Sequence, residues 1–154
     1  MKSAIQPKTT NIQLKEVTRN NWEDIALLTV DDGQKEFIES NAFSLAQSVF
    51  EPNWRPFGIY TNNELIGFTM IGKEAKTEHI WLDRFMLDYH YQGKGYGKRS
   101  FSLILHWIYE TFHCNEIFLS VHYKNNHAKK MYERFGFRLT GKMDGPEIIM
   151  VKAS

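Results

Sequence analysis

Gln92-Gly93-Lys94-Gly95-Tyr96-Gly97 follows an apolar run of strand character and directly precedes an amphipathic stretch of helical period. This strand–glycine–helix junction constrains the fold more than any other feature of the chain. Glycines at alternate positions let the backbone turn tightly and approach a ligand closely. The helix that follows aims its unpaired N–H groups into the turn. Such a cradle takes an anion, usually a phosphate. Two familiar phosphate loops do not fit. A Walker A loop needs G-x-x-x-x-G-K-[ST], but here Gln92 replaces the first glycine and Arg99 follows Gly97-Lys98. A dinucleotide fingerprint needs G-x-G-x-x-G, and the third position is Lys98 counted from Gly93, or Ser100 counted from Gly95. Alone, the glycines would equally mark an ordinary turn between strand and helix.

A second segment decides between these readings. In Asn125–Phe137, NNHAKKMYERFGF, Asn125 is placed to cap a short helix. Ala128 and Tyr132 fall four apart on one helical face, Gly136 ends the helix, and Phe137 opens an apolar strand. Together the two segments resemble the GCN5-related N-acetyltransferase (GNAT) family. Its Q/R-x-x-G-x-G/A loop is matched by Gln92, Gly95 and Gly97, and its Asn…Tyr helix before Gly-Phe by Asn125, Tyr132 and Gly136-Phe137. The resemblance runs from about Ile12 to Lys152. It implies a GNAT-type acyl-CoA N-acyltransferase fold, α/β with a mixed sheet, in a single domain whose central strands splay around acetyl-CoA.

The chain has 154 residues, 42% of them apolar, which suits one domain with a sizeable core and is short for two. A net charge of +1 gives no reason to expect nucleic acid or an anionic membrane as partner. The single cysteine, Cys114, excludes an internal disulfide and fits a cytoplasmic protein. The first residues lack a signal-peptide core, and no run has the apolar length of a membrane span. His79, His90, His106, His113, His122 and His127 show no metal-binding spacing, so no metal is expected. His122 and His127 fall near the expected cofactor groove, where polar packing is the plainer role.

Residues 1–10 read as a flexible tail and 11–154 as the acetyltransferase domain. Hydrophobic spacing predicts a strand over 12–17, a helix over 22–30 and a turn at 31–34 leading into a second helix that reaches about Val49. Pro52 and Pro56 bracket a loop. Strands are expected at 57–60 and 65–71 around Asn62-Asn63, then at 79–88. A helix at 96–112, a strand at 116–122, the Asn125 helix and a closing hairpin about Asp144-Gly145-Pro146 complete the order. The sequence of elements implies a parallel crossover in the middle of the sheet.

In the family the glycine-loop amides bind the CoA pyrophosphate. This assigns Gln92, Gly93, Lys94, Gly95, Tyr96, Gly97 and Lys98 to the cofactor, with Lys94, Lys98 and Arg99 adding positive charge nearby. The preceding strand pairs with the pantetheine arm and offers an N–H to the thioester carbonyl, which maps onto Phe85, Met86 and Leu87. An alkylammonium of ordinary pKa, about 10.4, is neutral in only about one molecule in a few thousand at pH 7. The attacking amine must therefore lose a proton, and the leaving thiolate must gain one. Tyr132, with an ordinary pKa of about 10, suits the second task, against the alternative of a tyrosine that only packs. Asn125 is expected to orient the pantetheine arm, cap the helix, or both. Asp83 interrupts an apolar strand, where a carboxylate is costly unless paired or wet. It is either an ion-pair partner of Arg84 or a base at the acceptor site. Trp81 and Phe85 share its side of an ideal strand.

Asp31, Asp32, Glu36 and Glu39 form either an exposed acidic helix face or the lining for a polycationic acceptor. Gln34-x-x-Phe37-Ile38-Glu39-Ser40, Trp81–Phe85 and Tyr91–Gly95 look like the bacterial spermine/spermidine N-acetyltransferases of the family. That likeness implies a polyamine acceptor bound by Asp83, Glu36, Glu39 and Trp81, and is compatible with a homodimer. Another small amine, a protein amine, or a CoA-binding regulatory domain without turnover stand as the alternatives. The retained Asn125 and Tyr132 speak against the last.

Overall fold

The structure is a computed structural model and describes residues 11–154; the tail expected over residues 1–10 lies outside them. Strands β1 (Ile12–Glu16), β2 (Trp54–Thr61), β3 (Glu64–Lys73), β4 (Ile80–Leu87), β5 (Glu116–His122), β6 (Arg138–Asp144) and β7 (Glu147–Ala153) form one sheet in the order β1-β2-β3-β4-β5-β7-β6. Every neighbouring pair is antiparallel except β4 and β5, which run parallel. Helix α3 (Tyr96–Phe112) makes the crossover between those two, as parallel neighbours require. The mixed α/β architecture expected from the sequence is therefore present.

Each face of the sheet buries a helix layer. On one face Phe101, Ile104, Leu105 and Ile108 of α3 pack with Ile66, Ile71, Leu82, Ile117 and Leu119. Tyr132 of α4 (Asn126–Arg134) joins that cluster. On the other face Ile25 of α1 (Trp22–Ala26) packs with Phe68, Met70 and Met86. Phe101 is the hub of the first layer, fully buried, with Phe85, Tyr132 and Phe135 rings 5.4, 5.2 and 4.8 Å away. Phe101→Ala should cost about 3–5 kcal/mol. For a chain of this length that lowers Tm by about 6–20 °C in a thermal melt.

The helices expected before β2 are shorter than read. Helix α1 stops at Ala26 because the next turn is claimed from elsewhere. The Thr29 N–H donates to Asp88 Oδ1 at 3.0 Å, and the Thr29 carbonyl accepts from the Tyr89 N–H at 2.7 Å. The single helix expected to reach Val49 is two pieces. A 3-10 helix covers Asp32–Phe37, Ile38 is extended, and α2 (Asn41–Phe50) starts afresh where Ser40 Oγ accepts from the Phe43 N–H at 3.1 Å. Pro56 lies inside β2, not in a loop. It falls beyond the end of β1, on a stretch with one strand neighbour, where a missing N–H is tolerated.

Two features of β4 shape the site. First, its pairing with β5 is limited to Trp81 opposite Phe118, after which the strands part. Second, Met70 pairs with Arg84 but Ile71 with Leu82, so Asp83 is the extra residue of a β-bulge. The bulge reverses the alternation. Leu82 before it and Phe85 and Leu87 after it face the α3 side, while Met86 faces the α1 side. The expectation that Phe85 shares the side of Asp83 and Trp81 is thereby corrected.

Candidate active site

The gap between β4 and β5 holds two adjoining spaces. The larger, about 600 Å³, is walled by β4, by β5, by the 3-10 segment with Glu36–Glu39, and by the β6–β7 turn. The narrower channel, about 190 Å³, runs from Phe85, Met86 and Leu87 to Gln92, Gly93 and Gly97, with Ala128 and Met131 of α4 opposite. Ile38, Phe85, Met86, Asn125 and Tyr132 border both. A molecule lying in the channel thus meets one lying in the larger cavity beside Tyr132.

The glycine turn opens onto the start of a helix. Gly93 and Gly95 have φ of +75° and +86°, a region that side chains rarely adopt. Gly95 is also the N-cap of α3, so the first amides of a 17-residue helix open onto the turn. Gly97 is helical and needs no positive φ; a Cβ there would lie 3.7 Å from Leu87 Cδ1. The Gln92 side chain supports the turn by donating to the Leu87 carbonyl at 3.0 Å and to Gln34 Oε1 at 3.1 Å. Lys94 and Lys98 are exposed, and Lys94, Gly95, Tyr96, Lys98 and Arg99 do not line the channel. Arg99 is the basic group turned toward the loop. Its guanidinium sits over the Tyr96 ring at 5.3 Å, and its Nε and Nη2 are buried with no hydrogen-bond partner among the described residues. Buried donors of this kind are what a phosphate oxygen satisfies.

Tyr132 is packed in the core and also reaches the cleft. Its ring stacks 5.2 Å from Phe101 in the core, and the residue borders both spaces. Burial, and then the negative charge of Glu147, push the phenol up to about 12. It therefore holds its proton across the physiological range. Asn125 caps α4, its Oδ1 accepting from the Ala128 N–H at 3.3 Å, and also borders both spaces.

Asp83 is ion-paired and also lines the cleft. Its Oδ2 pairs with Arg84 Nη1 at 2.7 Å, and the carboxylate faces the larger cavity. Arg84 is fixed in turn by Ser44 Oγ, which accepts from its Nε at 3.0 Å. Burial nevertheless raises the Asp83 pKa above the usual carboxylate value; Arg84 opposes the rise, and Glu147 and Glu51 add to it. Burial thus outweighs the ion pair on this residue.

Trp81 lines the cavity with its ring 5.5 Å from Phe118. Glu36 and Glu39 lie on the cavity rim and are exposed. They do not form a continuous helix face, because the break at Ile38 separates them. Sequence reading did not single out Glu74, Ser120, Asp144 and Glu147, which complete the wall. The signal available was the closing hairpin, whose turn the strand order carries to the mouth of the cleft. His122 also belongs to the wall, 5.0 Å from the Phe37 ring across it. Its Nδ1 accepts from the Lys124 N–H at 3.1 Å. Among the described residues, no group of three or more His, Cys, Asp or Glu side chains is placed to hold a metal ion. No helix among them is long and apolar enough to cross a membrane.

A splayed parallel pair, a glycine turn at a helix start and a buried phenol at the junction of two spaces are the features that the resemblance to the acyl-CoA-dependent N-acyltransferases led one to expect. Residues 21–137 match the family described as the acetyltransferase (GNAT) family, and this chain belongs to it. It is 36% identical over 149 residues to the spermine/spermidine N(1)-acetyltransferase of Bacillus subtilis (strain 168), covering 92% of this chain and 98% of that protein. It is 37% identical over 149 residues, with the same coverage, to a probable spermine N(1)-acetyltransferase of Bacillus subtilis subsp. natto (strain BEST195). The fold is shared with the crystal structure of spermidine N-acetyltransferase from Vibrio cholerae in complex with CoA and spermine. That match has a TM-score of 0.73 and 18% identity, and covers 93% of this chain and 95% of that one.

Proposed function

We propose that this enzyme transfers the acetyl group of acetyl-CoA to a primary amine of a polyamine such as spermine or spermidine. The observation that carries the acceptor is the charge of the larger cavity. Glu36, Glu39, Glu74, Asp83, Asp144 and Glu147 line it, and Arg84 is the only Lys or Arg on that wall among the described residues. A polycation answers such a field, and a neutral or anionic acceptor does not. The names of the two Bacillus relatives point the same way.

In this reading acetyl-CoA lies along β4 in the channel, with its phosphates at the Gly93–Gly97 turn and at Arg99. Asp83 takes the proton from the attacking ammonium, directly or through one water. The amine nitrogen bonds to the thioester carbon, and an N–H of β4 steadies the oxygen. As the carbon–sulfur bond breaks, Tyr132 gives its proton to the thiolate; the second proton of the nitrogen, cationic once bonded to the carbon, leaves through solvent and restores the phenol, while Asp83 returns the first to solvent. The products are the acetamide and CoA thiol. Glu36 and Glu39 hold the far ammonium groups at the rim, and Trp81 lines the aliphatic path. The chain is read as cytoplasmic, with no disulfide pairing available to its lone Cys114. The same reading allows a homodimer, for which the exposed Phe43, Val49 and Phe50 of α2 offer apolar surface. Sedimentation at two protein concentrations measures that state.

Thiol release from acetyl-CoA across a panel of amines tests the function. Spermine and spermidine should give the highest kcat/KM. The spermine KM should rise with salt, because rim carboxylates are screened over about 8–10 Å near physiological ionic strength. The raised pKa of Asp83 sets the sign of the pH response: activity falls as pH drops through a value above that of an ordinary aspartate. A salt-independent KM, or faster turnover of a monocationic arylalkylamine than of spermine, would replace polyamines with a general small-amine or protein-amine acceptor.

A further inference from the structure

Asp83 and Glu147 line the larger cavity from different strands, and the mechanism above gives a role only to the first. Asp83 comes from β4. Glu147 opens β7, opposite His122 in the β5–β7 ladder, and lines the same cavity as Asp83 and Tyr132. The two differ in what already holds them. The charge of Asp83 is countered by Arg84 at 2.7 Å, and Arg84 is itself pinned by Ser44. Glu147 has a neutral partner: Ser120 Oγ donates to its Oε1 at 2.6 Å. That bond fixes the side chain without cancelling its charge. The other oxygen, Oε2, has no hydrogen-bond partner among the described residues. Glu147 thus shares one lining with Asp83 and Tyr132, and its negative charge raises the pKa of both.

The chemistry needs a carboxylate in that position. The acceptor arrives as an ammonium, and its nitrogen turns positive again when it bonds to the thioester carbon, before its proton leaves. A carboxylate already engaged by a guanidinium holds such a cation weakly, whereas one held only by a hydroxyl keeps its full attraction. Resting on the reading that the acceptor is a cationic amine, we propose that Glu147 is the specificity-determining residue that holds the reacting ammonium at the transfer point, and that Ser120 aims it. Asp83 keeps the proton transfer, so the tasks of binding the cation and of accepting its proton fall on separate side chains.

Steady-state kinetics of wild type, Glu147→Gln, Glu147→Asp and Ser120→Ala test this, with the best amine of the panel as acceptor. Glu147→Gln should raise the acceptor KM by about 10- to 100-fold, the range for losing one charge-assisted hydrogen bond. The acetyl-CoA KM and Tm should stay at wild-type values. Glu147→Asp should recover part of the acceptor KM, and Ser120→Ala should raise it by a smaller factor than Glu147→Gln. Removing the Glu147 charge should also move the acid limb of the kcat/KM profile to lower pH, because that charge helps raise the Asp83 pKa. That shift follows from the charge alone; the split between acceptor KM and acetyl-CoA KM is what separates a binding role from one in the strand framework. An unchanged acceptor KM in folded Glu147→Gln, or acetyl-CoA and acceptor KM values rising together, would overturn the assignment. Failure of the polyamine reading is seen separately, in the wild-type panel. If another cationic amine is preferred there, the same four proteins decide the role of Glu147 with that amine.

Discussion

Tyr132→Phe should lower kcat by about 10²- to 10⁴-fold, the usual contribution of a positioned general acid, and leave acetyl-CoA affinity unchanged. The substitution is a clean one here. The ring, stacked against Phe101 and 6.2 Å from Phe137, keeps its packing, and the hydroxyl alone is lost. That hydroxyl is a strong candidate for the donor because burial, followed by the charge of Glu147, pushes the phenol up to about 12. The direction matters. A group raised in this way stays protonated between pH 6 and 9, so it is ready to donate at every pH where the reaction is measured. Any fall in kcat on the alkaline side must come from another group. Stopped-flow or steady-state thiol release measures kcat, and calorimetry measures acetyl-CoA binding. Wild-type turnover in the phenylalanine variant would take the proton donor away from Tyr132 and leave the family assignment intact.

Residues that act through backbone geometry were the most legible in the sequence. Gly93 and Gly95 have the positive φ that their spacing called for, and Asn125 caps the helix it precedes. These signals are local, since a cap or a left-handed turn needs only its own few residues. The parallel crossover was legible for a related reason. A strand, a long amphipathic helix and a second apolar strand have few ways to pack.

What could not be read was set by partners far away in the chain. The helix expected through Val30 ends early because Asp88, 59 positions on, takes the Thr29 N–H. The bulge at Asp83 leaves no mark in composition, yet it reverses the facing of every later residue of β4. Strand alternation alone therefore put Phe85 on the wrong face. Glu147 and Asp144 lie in a hairpin that reads as an ordinary closing turn. Only the placement of β7 between β5 and β6 brings that turn to the larger cavity. The glycine-turn half of the cleft was thus legible as motif, and the carboxylate-lined half depended on topology. This follows from their construction: the turn is one continuous segment, while the wall of the larger cavity is assembled from β4, β5, the 3-10 segment and the β6–β7 turn.

That asymmetry makes the glycine turn the place where one substitution should do most harm to binding and least to the fold. Gly95→Asp forces a side chain into φ +86°, at a cost of about 1–2 kcal/mol. It also sets a negative charge among the amides that would receive phosphate. The new carboxylate would capture Arg99 as well, since the guanidinium nitrogens lie 3.8 Å from where its Cβ would stand. A lost charge-assisted contact is worth about 1.5–3 kcal/mol more, so acetyl-CoA affinity should fall by about 10²-fold or more. Two companion variants separate the causes. Gly95→Ala carries the backbone strain without the charge and should fall between wild type and the aspartate. Gly97→Ala carries neither, because that residue is helical and its Cβ would make an ordinary 3.7 Å contact with Leu87. The Phe101 core lies under the helix and away from the turn, so all three variants should melt cooperatively. Calorimetry on the folded proteins reads the affinities. Wild-type affinity in Gly95→Asp would mean that the phosphates of acetyl-CoA do not lie at this turn.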